Sequence, residues 1–500
     1  MSNLMPRLRI SLKELLPDAR FVGDDDIIVT HATERSDLIG PGDLFAAIPG
    51  TRRNGEEFAC DAVLRGAEAL LLSREIPDLP VPQCLVPDVR HAFAKLCDAL
   101  SGSPSQSLKT AGVTGTNGKT TTTWMIRSIL RAAGQPTGLL GTIEYSDGQR
   151  RERAGLTTPE SQVLSFWLES MVSSGTTHVA MELSSHALDQ GRAAGTQLDV
   201  AIVTNVTQDH FDYHKSFDQY VAAKARIAEH LKPDGVLVLN ADDRGSMTIG
   251  RIVGSNRRIV TFAAEQDADI TATILEETTV GTRFILGCGD EAEEVFTPLI
   301  GRHNVSNALA AAAAAHHFGI SLPTISLGLQ LLSAVPGRLE RVEAGQPFDV
   351  FVDFAHTEDA LRRCVSNLKQ LTSGRVITIF GAGGDRDRNK RPKMAQAVLG
   401  SDLIVVTSDN PRTEDPQRII EDILAGFAPA FPPLHVEIDR RAAIQWALQQ
   451  ARPGDCVLIA GKGHETEQII GTQRFPFDDR AIAKAALLQP SSALDALTRS

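Results

Sequence analysis

Cysteine is scarce in this 500-residue chain. The six thiols, Cys60, Cys84, Cys97, Cys288, Cys364 and Cys456, are scattered, and none belongs to a CxxC pair. That spacing argues against a disulfide frame or a thiolate metal site and fits a reducing cytoplasm. Positive charge is also in deficit: 50 Lys and Arg face 62 Asp and Glu, for a formal net charge of -12. A nucleic-acid binder would show a basic field, so no nucleic-acid partner is expected. Small anionic ligands stay compatible, because a few local cations suffice to hold them. Long apolar runs are missing too. The opening "MSNLMPRLRISLKELL" lacks the apolar core of a signal peptide, and "ALAAAAAA" from Ala308 is too short to cross a bilayer. It reads instead as a tightly packed helix, and a cytoplasmic protein without a transmembrane segment is expected. No internal repeat stands out.

What remains is a globular composition, 42% hydrophobic and 22% charged, long enough for about three domains. The first hundred residues mix short β-like runs with turns, as in "PGDLFAAIPG" and "AEALLLS". "SGSPSQS" at Ser101–Ser107 reads as a linker. Strand-like runs then alternate with helical patterns: "HVAMELSS", "VAIVTNVT", "GVLVLNADD". A second seam lies near "SAVPGRLERVE", after which the alternation restarts with "FDVFVDFAH", "RVITIFGAGGD", "DLIVVTSDNPR" and "DCVLIAGKGHE". The pattern predicts α/β domains with mostly parallel sheets, whose ligands bind at the carboxyl ends of the strands.

One stretch carries explicit chemistry. "GVTGTNGKTTT" sits between a strand-like run and a helical one. Gly115 and Gly118 let backbone N–H groups turn toward phosphates, and the following helix N-terminus adds partial positive charge. Lys119 can reach the terminal phosphates, and the Thr120 hydroxyl can ligate Mg²⁺. The bland alternative, a chance glycine turn, does not explain strand, loop, Lys-Thr and helix in this order.

The compact form "TGTNGKT" resembles the Mur ligases and the related folylpolyglutamate synthetases. That resemblance covers essentially the whole chain, with motifs in family order. It implies an ATP site using Gly115, Thr116, Asn117, Gly118, Lys119, Thr120 and Thr121, with Asn304 and Asn307 of "HNVSN" near the nucleotide. Arg338, Asp353 and His356 are implied on the same side. This chain has Phe354 where the family usually has Tyr, and Glu358 where it has Pro. Glu182 and His210 are implied Mg²⁺ ligands beside Thr120. Lys224 is implied to be carbamylated by CO₂, which converts an ammonium into an anion able to hold a second Mg²⁺.

The family joins a carboxylate to an amine, and the residues supply a site for each. For the acid, a UDP-linked muramoyl dipeptide, the resemblance points to Thr157, Thr158, Ser184, Gln190 and Arg192. It also points to a uridine-binding stretch with Ser36, followed by Thr51, Arg52 and Arg53. Arg35 and Asp37 flank Ser36 in the reverse of the family's order. For the amine, "DNPR" (Asp409, Asn410, Pro411, Arg412) is the signature of the members that add meso-diaminopimelate. Arg412 can pair bidentately with a distal carboxylate that lysine lacks. Arg386 is a second cation, and Gly461 and Glu465 of "GKGHE" suit the distal ammonium. The expected architecture is three domains: residues 1–104 binding uridine, a central P-loop ATPase-like domain at 105–335, and a Rossmann-like domain at 336–500. The expected chemistry is ATP-dependent amide formation through an acyl phosphate, by a monomer. A lysine-adding member, a folylpolyglutamate synthetase and a non-catalytic nucleotide-binding regulator are the alternatives.

Overall fold

A computed structural model describes residues 8–50, 53–207, 211–428, 433 and 435–488. The chain divides into two compact units. The first comprises the described residues of Met1–Thr273, Ile285–Val295 and His303–Leu331; the second those of Ile274–Phe284, Phe296–Arg302 and Leu332–Ser500.

The first unit holds two substantial sheets. A five-stranded sheet near the N-terminus runs Arg20–Val22, Gln83–Leu85, Ala67–Leu72, Asp43–Ala46, Ala32–Thr33. Its "PGDLFAA" and "AEALLL" runs are buried strands, and Phe93 and Leu96 of the helix Val89–Leu100 pack onto it. The larger sheet has eleven strands, of which the first eight take the order Arg151–Arg153, Glu144–Ser146, Thr137–Leu140, His178–Glu182, Lys109–Thr114, Leu198–Val203, Leu231–Asn240, Arg258–Ala263. Its first two pairings are antiparallel and the following ones parallel, so Glu144–Ser146 alone of these eight strands runs against the others. Strands buried on both faces need no alternation, which is why "HVAME" and "AIV" read as continuous apolar runs. The alanine run lies in the helix Arg302–His317 and is buried throughout.

In the second unit the order is Glu340–Arg341, Asp349–Asp353, Cys456–Ala460, Val376–Phe380, Leu403–Thr407, His435–Glu437. All pairings are parallel except the short first edge. Apolar clusters cover both faces of this sheet, one around Phe351, Phe380 and Leu458 and the other around Val352, Ile379 and Ile459. The polar endings "DFAH", "GAGGDR", "SDNPR" and "GKGHE" therefore leave the sheet at its carboxyl edge, outside the apolar layers.

Candidate active site

The glycine loop connects the strand Lys109–Thr114 to the helix Lys119–Ala132. Gly118 sits at φ +88°, and a Cβ there would lie 2.3 Å from Asn307 Oδ1. The loop therefore lies directly against the "HNVSN" helix, where Asn307 donates to Asn304 Oδ1 at 3.1 Å. Asn117 N donates to Asn205 Oδ1 at 2.9 Å, and Thr116 N to Asn205 O at 2.9 Å. Thr116 also meets the Tyr220 hydroxyl at 3.1 Å. Lys119 Nζ donates to the carbonyls of Gly115 and Thr116 at 2.8 and 2.9 Å. Thr121 is buried in the first helical turn. Every side chain expected of the loop is thus held by its own surroundings.

Glu182 ends its strand with a buried carboxylate, 1% exposed. Thr120 Oγ1 donates to Oε2 at 3.1 Å, Thr142 Oγ1 to Oε2 at 2.9 Å and Thr142 N to Oε1 at 2.8 Å. Thr142 was not anticipated; its only sequence signal is a position just past a strand end. A hydroxyl and a carboxylate meeting beside a phosphate loop form a hard oxygen set, which fits Mg²⁺. Among the described residues no group of three or more His, Cys, Asp and Glu is gathered for a metal. A Mg²⁺ shell completed by phosphate and water oxygens needs no such group. His210 lies outside the described residues.

Lys224 is buried, 1% exposed, at the end of the helix Phe217–Ala225. Its Nζ donates to Gly115 O at 2.8 Å and stands 4.4 Å from the centre of the Tyr220 ring. The solvated surface lysine that an amphipathic helix would suggest is therefore not what is found.

Thr157 and Thr158 continue this cluster. Thr157 meets Thr142 at 3.1 Å, while Thr158 donates to Glu182 O at 2.8 Å and accepts from Ser184 N at 3.0 Å. Ser184 caps the short helix Ser185–Asp189. Arg192 donates to Gln190 Oε1 through Nε and NH2, at 3.0 and 2.8 Å, and lies 3.2 Å from Glu160 Oε2. Burial, reinforced by the negative charge of Glu160, holds the Glu34 carboxyl above its usual range. Sequence reasoning named neither acid.

Ser36 opens a one-turn 3₁₀ segment, Ser36–Leu38. The two reversed neighbours pair with each other across it: Arg35 Nε donates to Asp37 Oδ1 at 3.1 Å and NH2 to Oδ2 at 2.6 Å. Both side chains are more than half exposed, so the pair adds little stability. Arg53 lies 4.4 Å from the Phe58 ring centre and 3.3 Å from Glu57. Thr51 and Arg52 lie outside the described residues.

In the second unit, Arg338 lies over the Phe354 ring at 4.8 Å, and His356 and His464 flank the same ring. Phe at this position therefore acts as a flat packing face. Asp353 is buried and accepts from Leu339 N and Ala355 N, both at 2.7 Å. Glu358 is the first residue of the helix Glu358–Leu371, where a carboxylate complements the helix dipole and pairs with Arg362 at 2.7 Å.

The "DNPR" and "GKGHE" tips form one network. Asn410 Nδ2 donates to Glu465 Oε2 at 2.8 Å. The buried Lys462 donates to Asn410 Oδ1 at 3.0 Å and Glu465 Oε2 at 2.9 Å. Gly461, at φ +119°, brings the backbone so near Asp409 that a Cβ would lie 2.7 Å from its Oδ2. Arg412 takes φ +51°, rare for a side chain of this size. The hairpin Glu467–Ile470 and Gln473–Pro476 holds it there, through Arg412 N to Ile469 O at 3.0 Å and Gly471 N to Arg412 O at 2.6 Å. Strain of this kind persists where the surroundings enforce it, commonly at functional sites. Arg412 NH1 donates to Gly384 O at 2.7 Å, while Pro411 places its carbonyl against Gly384.

Arg386 is exposed, and its guanidinium donates at 3.4 Å to the carbonyl of its neighbour Asp385. Two other arginines tie this loop to "DNPRTE": the exposed Arg388, with NH2 2.8 Å from Glu414 Oε2, and the fully buried Arg391, with NH2 2.8 Å from Glu414 Oε1 and NH1 2.8 Å from Asp422 Oδ2. Arg391 holds the Glu414 carboxyl down at about 2.

Family comparison accounts for this arrangement. The Mur ligase middle domain matches residues 113–315, and the Mur ligase glutamate ligase domain matches residues 337–463. The chain belongs to the Mur ligase family. Among the curated relatives of this Mur ligase is the UDP-N-acetylmuramoyl-L-alanyl-D-glutamate–2,6-diaminopimelate ligase of Geobacillus kaustophilus (strain HTA426). It is 44% identical over 93% of this chain and 96% of its own. The protein of the same name from Gloeobacter violaceus (strain ATCC 29082 / PCC 7421) is 44% identical over 97% and 99%. A solved structure of a ligase of that name superposes with a TM-score of 0.69 at 31% identity, covering 99% of this chain and 100% of that one. A Mycobacterium tuberculosis folylpolyglutamate synthase solved with ADP and AMPPCP shares the fold at TM-score 0.61 and 19% identity, over 74% of this chain and 92% of that one. No helix among the described residues is long and apolar enough to cross a membrane.

Proposed function

We propose that this Mur ligase uses ATP to join meso-2,6-diaminopimelate to the D-glutamate of UDP-N-acetylmuramoyl-L-alanyl-D-glutamate, in peptidoglycan precursor synthesis. A carboxylate is a poor electrophile. Its oxygen attacks the γ-phosphorus of ATP, ADP leaves, and an acyl phosphate forms. The diaminopimelate amine then attacks that carbonyl, phosphate leaves, and an amide results. The glycine loop and Lys119 orient the phosphates, and Asn304 and Asn307 back the loop. Thr120 and Glu182, with His210, would hold Mg²⁺, which when bound offsets charge on the transferring phosphoryl group.

Lys224 is the residue we assign to carbamylation: its neutral amine adds to CO₂, a C–N bond forms and a proton is released. Arg192, Gln190, Thr157, Thr158 and Ser184 are assigned to the muramoyl dipeptide, and Ser36, Thr51, Arg52 and Arg53 to its UDP half. Arg338, Asp353 and His356 are assigned to the nucleotide. Residues 1–104, 105–335 and 336–500 are proposed as the working modules of a cytoplasmic monomer.

One observation carries the amine assignment. Arg412, fixed by Gly384, and Glu465, fixed through Asn410, supply a guanidinium and a carboxylate from two strand tips that the Asn410–Glu465 hydrogen bond joins. That pair complements an amino-acid head bearing both a carboxylate and an ammonium. Asp409, Pro411 and Gly461 shape the tips, and Arg386 at the rim supplies a second cation.

The test is an amine screen at constant ATP and UDP-linked dipeptide. Phosphate release should require both the dipeptide and an amine, and diaminopimelate should outperform lysine by at least about a hundredfold in kcat/KM. Equal use of lysine would overturn the amine assignment, and release with ATP alone would point to a nucleotide-driven switch.

A further inference from the structure

The mechanism leaves Lys462 without a task, yet its side chain is fully buried at 0% exposure. Its Nζ donates to Asn410 Oδ1 at 3.0 Å, Glu465 Oε2 at 2.9 Å and Glu467 O at 2.7 Å. An ammonium has three protons, so all are committed within the protein. Lys462 neither touches a ligand through them nor transfers one.

What the three bonds fix is orientation. Asn410 Oδ1 accepts from Lys462 and from Ile469 N at 3.0 Å, which sets the amide so that Nδ2 faces Glu465. Glu465 Oε2 then receives both Asn410 Nδ2 and Lys462 Nζ. Glu465 Oε1 is left as the oxygen turned away from this network. The charge balance follows from the same placement. Lys462 and Arg412 stand against Glu465 and Asp409, and the buried Arg440 is answered by Asp479, so with Arg386 outside at the exposed rim the tips themselves are balanced and suit a ligand end that is neutral overall. Remove the Lys462 charge and the set becomes net negative, which favours an end carrying ammonium alone.

We propose that Lys462 is a positioning residue: it aims Glu465 at the distal ammonium of the amine substrate and keeps the pocket selective for a zwitterionic head. The proposal rests on the diaminopimelate assignment above. Its test compares wild type with Lys462→Met and Lys462→Gln, using diaminopimelate and L-lysine as alternative amines at saturating ATP and UDP-linked dipeptide. Lys462→Met should raise KM for diaminopimelate roughly tenfold or more, with kcat within about threefold. Its preference for diaminopimelate over lysine should fall by about tenfold. Lys462→Gln keeps hydrogen-bond donors but no charge, so it should bind diaminopimelate better than Lys462→Met while still losing preference. If Lys462→Met fails to melt cooperatively, Lys462→Gln decides. Unchanged KM and preference in a folded variant, or equal losses with both amines, would overturn the proposal. Wild type that does not couple diaminopimelate would instead overturn the substrate assignment on which it rests.

Discussion

Lys119 and Lys224 donate to the same acceptor, the carbonyl oxygen of Gly115, at 2.8 Å each. Two ammonium groups sharing one carbonyl repel, and conversion of one to a carbamate reverses that sign. Lys224→Ala should therefore lower kcat by about a hundredfold or more, the scale seen when one group stabilising developing charge is lost. Added formate or acetate should restore part of the loss, by replacing the missing anion. Lys119→Ala should lose activity without such recovery. Steady-state phosphate release with and without the added acid separates the two, and a fully active Lys224→Ala removes the carbamate from the mechanism.

Arg412 should govern which amine is used. A lysine in its place keeps one charge but not the planar fork, so Arg412→Lys tests geometry apart from charge. Arg412→Ala should cut kcat/KM for diaminopimelate by about a hundredfold or more, with Arg412→Lys falling between that and wild type. Activity toward lysine, which has no distal carboxylate, should change little. Parallel losses with both amines would show that Arg412 supports the loop and not the choice of substrate.

The strands and the glycine loop were legible because their signals are local. Gly115, Gly118, Lys119 and Thr120 announce a phosphate site within six residues, and the apolar runs ending in "SDNPR" and "GKGHE" are strands with those tips at the carboxyl edge. Burial was not legible. "GGDRDRNKR" offers three arginines, and only folding separates the exposed Arg386 from Arg391, which is fully enclosed. Lys462 is hidden for a similar reason: a lysine between two glycines looks solvated until Asn410, Glu465 and Glu467 close around it. The reversal at Arg35 and Asp37 shows a different limit. Sequence registers swapped charges, whereas space shows the same two charges still facing each other across Ser36.

Glu414 should give the second unit an acid-sensitive joint. Its folded value of about 2 lies below the ordinary 4.5, chiefly because Arg391 hydrogen-bonds to it. A depressed carboxylate stabilises the fold above its ordinary value, and that contribution fades as pH falls from about 4.5 toward about 2. Glu414→Gln should be less stable at neutral pH by on the order of 3 kcal/mol, because Arg391 stays buried with a weaker partner. The gap from wild type should narrow toward pH 2. Chemical denaturation at neutral and acid pH reads this out, and a gap independent of pH would place the cost in packing instead of charge.

The close approach of Gly384 and Pro411 makes a sharper probe of the proposed amine pocket than any change of charge. A Cβ at Gly384 would stand 1.9 Å from Pro411 O, so Gly384→Ala must push the two loops apart. Overpacking of this kind costs about 1–3 kcal/mol. The same shift would carry Gly384 O away from Arg412 NH1, a contact now 2.7 Å long. The guanidinium would lose its anchor while keeping its charge. Gly384→Ala should therefore raise KM for diaminopimelate by roughly tenfold, which is the effect of about 1.4 kcal/mol. Nucleotide binding through the Gly115–Gly118 loop should be unchanged. Calorimetric titration with ADP, run beside diaminopimelate kinetics, makes the comparison. Should ADP affinity fall as far as diaminopimelate affinity, the damage is global and Gly384 has no special hold on Arg412.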